Sequence, residues 1–434
     1  MRRILTLPVL LALLAPALPG AVRTVVIGDS QSEEYAFELP FSAPDSDPLI
    51  ANTRNWIEIL AAQRPAGLDF GGYSGIPLSY PDLRNGGFAR NFGVPAAESG
   101  TWEDIVQSSL FDSPEFFTTR LALEDQLSDA EVVVLFLGGN DVNSTYGSLY
   151  NDTISPGFFT GTRDRFAAVF TFIRSERPAI PIVFVNIPDV GASPDVQADH
   201  PDPAKRAVAS HHIASLNALL GVLAASHAAT VVDLFAFTAQ LLDPAPVYLG
   251  AIEMIRAGAP ENPPDHLFCK DGFHPSTSAQ AVVANVILEG VNAAVGTAIP
   301  LLPSREILED QLGLDPDQPY LDWLAAFPGA SAAMTADDDG DGLPQVGEFA
   351  LQHDPLRADG LSRPASRDGT AVFTYHPDPA ANRLVESRPE CSTDLRTWQP
   401  VPPGALTTLP GGAVEVTLPA PSPRFVRLQF LLRP

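Results

Sequence analysis

The 434 residues hold two cysteines, Cys269 and Cys391, and neither Cys-x-x-Cys nor His-Glu-x-x-His occurs anywhere. Zinc sites built on those spacings are therefore excluded. The two cysteines fall in different segments of the chain and read as free thiols rather than a disulfide, even in an oxidising compartment. Basic side chains are also scarce: 26 Lys and Arg face 52 Asp and Glu, for a formal net charge of −26. Such a surface repels nucleic-acid phosphates and anionic membranes, so no nucleic-acid partner is expected. Beyond the first residues no apolar run looks long enough to cross a bilayer, so no membrane span is expected once the leader is gone. There is no internal repeat and no coiled-coil heptad pattern.

What is present begins with that leader. Arg2 and Arg3 precede an apolar stretch from Ile4 to Leu14, and Ala15-Pro16-Ala17 offers a small-residue cleavage site, with Ala21 as another. Residues 1–21 read as a signal peptide, and the expected location is secreted, periplasmic or cell-surface. The length suits two or three domains. The hydrophobic share of 45% suffices for a substantial core, and 43 prolines imply many stiff loops.

Along residues 22–300, strands alternate with helices. Strands are predicted at Val22–Ile27, Phe88–Val94, Glu131–Leu137, Pro181–Ile187 and Thr230–Phe235. Helices are predicted from Trp56, at Trp102–Leu110, Arg163–Arg174, Ala207–Ala225 and Ser276–Val295. Residues 31–51, 65–87, 138–159 and 188–204 read as loops. The alternation predicts an α/β fold, a three-layer α/β/α domain on a parallel sheet. Residues 301–360 read as a helical linker, with helices at Arg305–Leu312 and Tyr320–Ala326. Residues 361–434 read as a small antiparallel β module, with strands at Val372–Tyr375, Arg396–Val401, Val414–Leu418 and Phe425–Leu431. Eight arginines there meet six acidic residues, so the acidity lies elsewhere. Its Phe373, Tyr375 and Trp398 suit either a platform for a polymer or the core of the module.

Four short stretches carry the chemistry. Ile27-Gly28-Asp29-Ser30-Gln31-Ser32 closes the first strand, where open α/β sheets place their ligands. Asn91-Phe92-Gly93-Val94-Pro95-Ala96-Ala97-Glu98-Ser99 is the second. An apolar strand ending in Gly138-Gly139-Asn140-Asp141 is the third. Asp271-Gly272-Phe273-His274-Pro275 is the fourth. Each alone has a plainer reading: Ser30 as a turn residue, Asn140 as a cap, His274 as a loop histidine. Asp265-His266 is a neighbouring rival pair without the spacing, and His211-His212 reads as surface.

In order and spacing, the four stretches resemble the SGNH hydrolases, also called GDSL esterases and lipases. The resemblance covers roughly residues 22–300. It implies Ser30 as nucleophile, His274 as base and Asp271 as the group orienting the imidazole. It also implies three oxyanion donors: the Ser30 N–H, a backbone N–H of the second stretch and the Asn140 amide. Ala96 stands where the family usually has glycine in the most direct register, with Gly93 and Gly100 as alternatives. The implied activity is that of a secreted serine esterase cleaving acyl or acetyl carboxylic esters through an acyl-enzyme. Its substrates would be small-molecule, lipid or carbohydrate esters, with no cofactor for catalysis. The alternative is a non-catalytic cell-surface or polysaccharide-binding adhesion protein that uses the α/β unit as scaffold.

Residues 337–348 follow Asp-x-Asp-x-Asp-Gly-x5-Glu and resemble an EF-hand-type or dockerin-like loop. Asp337, Asp339, Asp341, the Leu343 carbonyl and Glu348 are the expected ligands of a structural calcium ion. Pro344, at the eighth position, departs from that pattern. An acidic, solvated turn is the plainer reading.

Overall fold

A computed structural model describes residues 20–37, 53–111, 113–361, 365–367, 370–418 and 425–434. All but the last two positions of the expected leader lie outside the described residues, as do the turns expected between residues 38 and 52. In chain order the first elements are β1 (Val22–Gly28), α1 (Trp56–Gln63), β2 (Leu68–Asp69), β3 (Tyr73–Ser74), β4 (Gly87–Phe88), β5 (Asn91–Gly93), α2 (Ser99–Gln107), α3 (Pro114–Leu127) and β6 (Val132–Phe136). They continue with α4 (Gly139–Tyr150), α5 (Pro156–Glu176), β7 (Ile182–Val185), α6 (Pro194–Asp199), α7 (Pro203–Ser226), β8 (Thr230–Val232), α8 (Leu234–Gln240), β9 (Val247–Leu249), β10 (Ile252–Met254) and α9 (Thr277–Val295).

β1 is β-branched and buried along nearly its whole length because both of its faces are covered. Val25 and Ile27 pack under α2, α3, α4, α5 and α7, while Val22 and Val26 pack under α1 and α9. The five residues of β6 are all buried for the same reason. The parallel sheet runs β2-β1-β6-β7-β8, and β5 pairs with β1 on the β2 side. The chain builds outward from β1 in one direction, then crosses to β6 on the other. The strand order reverses at β1, and the crevice beyond its carboxyl end is where such sheets bind ligands.

Local chemistry sets the element ends. Asn55 and Glu58 form a reciprocal capping box at α1. Asp202 caps α7, and Pro203 occupies its first turn.

Several expectations need correction. The expected loop 138–159 is α4 followed by the start of α5. Gly138 turns the chain at φ +106°, after which Val142, Tyr146, Leu149 and Tyr150 bury one stripe of a helix whose remaining residues are polar. The expected loop 65–87 contains the short strands β2 and β3. The strand expected at Phe88–Val94 is split between β4 and β5. Thr230–Phe235 stops at Val232 because Asp233 caps α8. The helix α3 was not anticipated. By length and composition α7 and α9 could each cross a membrane, contrary to expectation. Both, however, are layers of the domain: Ile213, Leu216 and Leu220 of α7, and Ala284, Ile287 and Leu288 of α9, are buried against the sheet.

Downstream, α10 (Ser304–Glu306) runs into a π-helical turn at Ile307–Leu312, whose Ile307, Leu308 and Leu312 pack into the α1–α9 layer. α11 (Gln318–Leu324) and α12 (Gln345–Leu351) meet through Tyr320, Trp323 and Phe349. The remaining strands are β11 (Ala365–Arg367), β12 (Thr370–Tyr375), β13 (Val385–Ser392), β14 (Gln399–Pro400), β15 (Leu406–Thr408), β16 (Val414–Leu418) and β17 (Phe425–Leu432). They form two antiparallel sheets, β11-β12-β16-β15 and β14-β13-β17. β13, interrupted in sequence by Pro389, was not anticipated, and the expected strand 396–401 shrinks to β14. Phe373 and Tyr375 are buried core of this module, not a platform. Trp398 is half-buried, and the Arg427 guanidinium lies 4.3 Å from its ring centre.

Candidate active site

Ser30 lies two residues past β1, His274 and Asp271 on the loop before α9. The fold closes this separation: Ser30 Oγ is 2.9 Å from His274 Nε2, and His274 Nδ1 is 2.5 Å from Asp271 Oδ2. The other Asp271 oxygen accepts the N–H groups of Phe273 (3.0 Å) and His274 (3.1 Å), so the loop fixes the carboxylate it carries. Burial raises the Asp271 carboxyl. The hydrogen bond and attraction of His274, with the two N–H groups, outweigh it, and the group sits below its ordinary range.

The loop rests on a buried support. Tyr35 Oη donates to the Pro275 carbonyl (3.0 Å) and accepts from Gln280 Nε2 (2.7 Å). The free thiol of Cys269 is fully buried beside Tyr35, 3.4 Å from the same carbonyl. Cys391, half-buried in β13, is free as well. The rival His266 pairs with Asp265 at 2.8 Å, and His212 with Asp152 at 2.8 Å.

The turn carrying Ser30 is held from several sides. Asn91 Nδ2 donates to the Ser32 carbonyl (2.7 Å), Asn55 Nδ2 to the Glu33 carbonyl (2.6 Å), and Trp102 Nε1 to the Gly28 carbonyl (2.9 Å). A Cβ on Gly93 would stand 2.4 Å from the Glu33 nitrogen, so only glycine lets β5 approach the turn. Acids crowd beneath it. Burial pushes the Asp29 carboxyl up to about 7, against the Gln31 N–H and His274, which lower it. Burial also lifts Glu34 to about 8 and Glu58 to about 7, against backbone N–H bonds from Phe88 and from Asn55 and Tyr35 respectively.

The second and third stretches meet beside Ser30. Asn140 Nδ2 donates to the Ala97 carbonyl at 3.1 Å. Asp141, buried, accepts from both the N–H and hydroxyl of Ser99, tying the first turn of α4 to that of α2. Ala96 is exposed and left-handed at φ +55°, a conformation that favours glycine. The Gly93 N–H is taken by Asn91 Oδ1 (3.1 Å), and Gly100 lies inside α2.

Sequence reading missed Asp29, Tyr35, Asp141 and Gln280. Asp141 and Asp29 stand next to motif residues and had that signal; Tyr35 and Gln280 had none. A small cleft at Ser30 and Asn140 adjoins a larger apolar cavity of about 60 Å³. The two share Gln31, Phe136, Pro188, Val190 and Phe273, and Phe237, Leu241 and Val283 extend the larger one. Asp189 shapes this wall: its carboxylate takes the Gly191 N–H (3.0 Å) and the Ser210 hydroxyl.

A serine hydrogen-bonded to a carboxylate-held imidazole, at the switch point of a parallel sheet, defines a hydrolase-type α/β protein. A family model described as GDSL-like Lipase/Acylhydrolase matches residues 24–287, more than half of the chain. The chain belongs to that family and is an ester-bond hydrolase. It is similar to an extracellular lipase from Streptomyces rimosus at 18% identity, over 63% of this chain and 100% of that one, with a TM-score of 0.36. It is also similar to a mutant acetyl esterase with an acetate ion at 15% identity, over 63% and 98% of the two chains, with a TM-score of 0.32. No curated protein sequence matches it.

The residues expected to hold calcium form a separate group in the sequence. Asp337, Asp339 and Asp341 bring carboxylate oxygens within 4.8 Å of one another, and Glu348 is buried in α12.

Proposed function

We propose that the protein is a secreted serine esterase for carboxylic esters with short acyl chains. Ser30 Oγ attacks the ester carbonyl while His274 Nε2 takes its proton. His274 then hands that proton to the leaving alcohol as the C–O bond breaks. Water, deprotonated by the same nitrogen, attacks the acyl-enzyme, and the carboxylic acid leaves as Ser30 recovers its proton. Asp271 holds the imidazole with Nδ1–H toward its own oxygen. The Ser30 N–H, the Ala96 N–H and Asn140 Nδ2 are the donors for the oxyanion. Asn140 already touches the second stretch at Ala97, and this supports Ala96 over Gly93 and Gly100.

The observation that carries this reading is the continuous hydrogen-bonded line from Ser30 through His274 to Asp271, opening on an apolar cavity. The apolar cavity beside Ser30 is small, about 60 Å³, and this supports short acyl chains over long ones. The basic, then apolar, start of the chain supports export. A panel of chromogenic esters from acetate to palmitate tests the proposal. Wild type should peak among the short esters, and Ser30→Ala should lose hydrolysis while melting as wild type does. Equal turnover by Ser30→Ala refutes the nucleophile; a palmitate optimum refutes the short-chain reading. Recovery of the protein outside the cell without residues 1–17 or 1–21 tests export, and a cytoplasmic chain that keeps Met1 and the leader refutes it.

A further inference from the structure

The 337–348 loop is folded by its own backbone. Gly340 and Gly342 sit at φ +77° and +92°, and their N–H groups donate to Asp337 at 2.9 and 3.0 Å. The Asp341 N–H donates to Asp339 (3.1 Å), and the Leu343 N–H to Asp341 (2.8 Å). Asp339 and Asp341 thus use one oxygen each on the loop, and the second oxygen of each is inaccessible to water and without a hydrogen-bond partner. Asp338, between Asp337 and Asp339, is stitched elsewhere, to Ser331 and Gln345.

An independent observation points to a ligand. Glu348, on α12, is 1% exposed, and neither of its carboxylate oxygens has a hydrogen-bond partner. The negative charges of Asp341, Asp339, Asp359 and Asp337 are near enough to act on it, and the Asp359 carboxylate lies within 4.8 Å of its own. A buried carboxylate aimed at other carboxylates is strongly unfavourable unless a cation sits between them. His353 does not supply that cation. Its Nδ1 is 3.1 Å from Asp359 and 4.0 Å from Glu348, and one imidazolium cannot balance five carboxylates. Asp359, Glu348 and His353 also bring their ligand atoms within 4.8 Å of one another, and a Cβ on Gly360 would stand 2.7 Å from Asp341 Oδ2. The chain entering the β sheets therefore lies directly on the loop.

We propose that Asp337, Asp339, Asp341, Glu348 and the Leu343 carbonyl bind one calcium ion. The ion clamps the Asp359–Gly360 segment, and with it the entry to the β module, against α12. An all-oxygen set with a buried, potentially bidentate glutamate suits calcium, which takes six to eight oxygens in flexible geometry. Magnesium demands a tighter octahedron and keeps its waters. Pro344, irregular for such a loop, is the N-cap of α12 and so begins the helix that carries Glu348. The loop is followed by a helix but preceded by an irregular stretch after α11, so it forms a single site, not one of a facing pair.

Calorimetry on the full-length protein, stripped with chelator, desalted and titrated with calcium chloride at pH 8, tests this, with thermal unfolding as the second readout. One saturable site and a rise in melting temperature at millimolar calcium are expected. Glu348→Gln keeps the shape of the side chain and should abolish both. Asp339→Asn, which keeps an oxygen for the Asp341 N–H, should weaken binding by about tenfold or more. Glu115→Gln, an exposed acid on α3, should change neither. No heat and no thermal shift in wild type overturns the site. So does an equal loss in Glu115→Gln and Asp339→Asn. Magnesium binding as tightly as calcium overturns the assignment of the ion.

Discussion

Two acid-rich turns in this molecule treat their carboxylates in opposite ways. Around Ser30, Asp29, Glu34, Glu58 and Asp271 are each buried to some degree, and each accepts backbone N–H groups from its surroundings. Around Asp341, the inward oxygens of Asp339, Asp341 and Glu348 accept nothing. At the first turn the four named acids are met by hydrogen bonds from the protein itself. The second leaves buried carboxylate oxygens without hydrogen-bond partners, and on that the proposed calcium ion rests. A dense group of acids is thus not one kind of feature: the distribution of hydrogen bonds separates a positioning framework from a proposed ligand site.

Substitutions sharpen the contrast at the first turn. The largest effect is expected for His274→Ala, which leaves Ser30 without a base: kcat should fall about 10⁴-fold or more with the melting temperature little changed. Near-wild-type turnover would dissolve the distinction between the two turns. Next, Asn140→Ala should lower kcat by about 10²–10³ and leave KM nearly unchanged, as for a donor used only in the transition state. A loss confined to KM would instead make Asn140 a substrate-binding group.

The buried acids give a stability test. Glu34 and Glu58 hold their protons up to about 8 and about 7, against an ordinary value of 4.5. Their folded values are raised, so the folded state binds protons that the unfolded chain has released. Their contribution is fully present below about pH 4.5 and is lost as pH climbs through 7 to 8. Denaturant unfolding should show the protein more stable at pH 5.5 than at pH 8, by an amount on the order of a few kcal/mol. Glu34→Gln should flatten that slope; a slope unchanged by the substitution would mean the carboxyl is ionised in the fold. The smallest effect belongs to Ala96→Gly. Relieving a left-handed alanine should raise stability by about 1 kcal/mol or less, and kcat should hold if the residue's N–H is what matters. A stability loss there would show that φ +55° costs this alanine nothing.

Much of this was legible in the chain. Parallel strands buried on both faces are nearly pure apolar runs, so β1, β6 and β7 stood out; that Ser30, Asn140 and the Asp271–His274 loop share one site came only from the family resemblance. Other parts were written in a code that composition hides. α4 reads as polar because only one narrow stripe of it faces the core. The acids beneath Ser30 carry no signal in the sequence because burial of a charge depends on partners distant in sequence, Phe88 for Glu34 and Tyr35 for Glu58. The apolar cavity is assembled from residues 188–193, 234–241 and 268–283, none of which carries a pattern alone. Ala96 showed a departure from glycine, but only its backbone angle shows what that departure demands.

The central position of β1 has a consequence for how the chain matures. β1 is made first, yet its partners β5 and β6 follow much later, with Thr24 paired to Val132. The His274 loop comes later still, after β8. Contacts so distant in sequence close slowly, and the earliest strand waits exposed until they do. The Ser30–His274 pair, 244 residues apart in sequence, is therefore expected among the late contacts. On dilution from denaturant, helical signal should return before ester hydrolysis does, and the gap between them times the final closure of the domain on its own first strand.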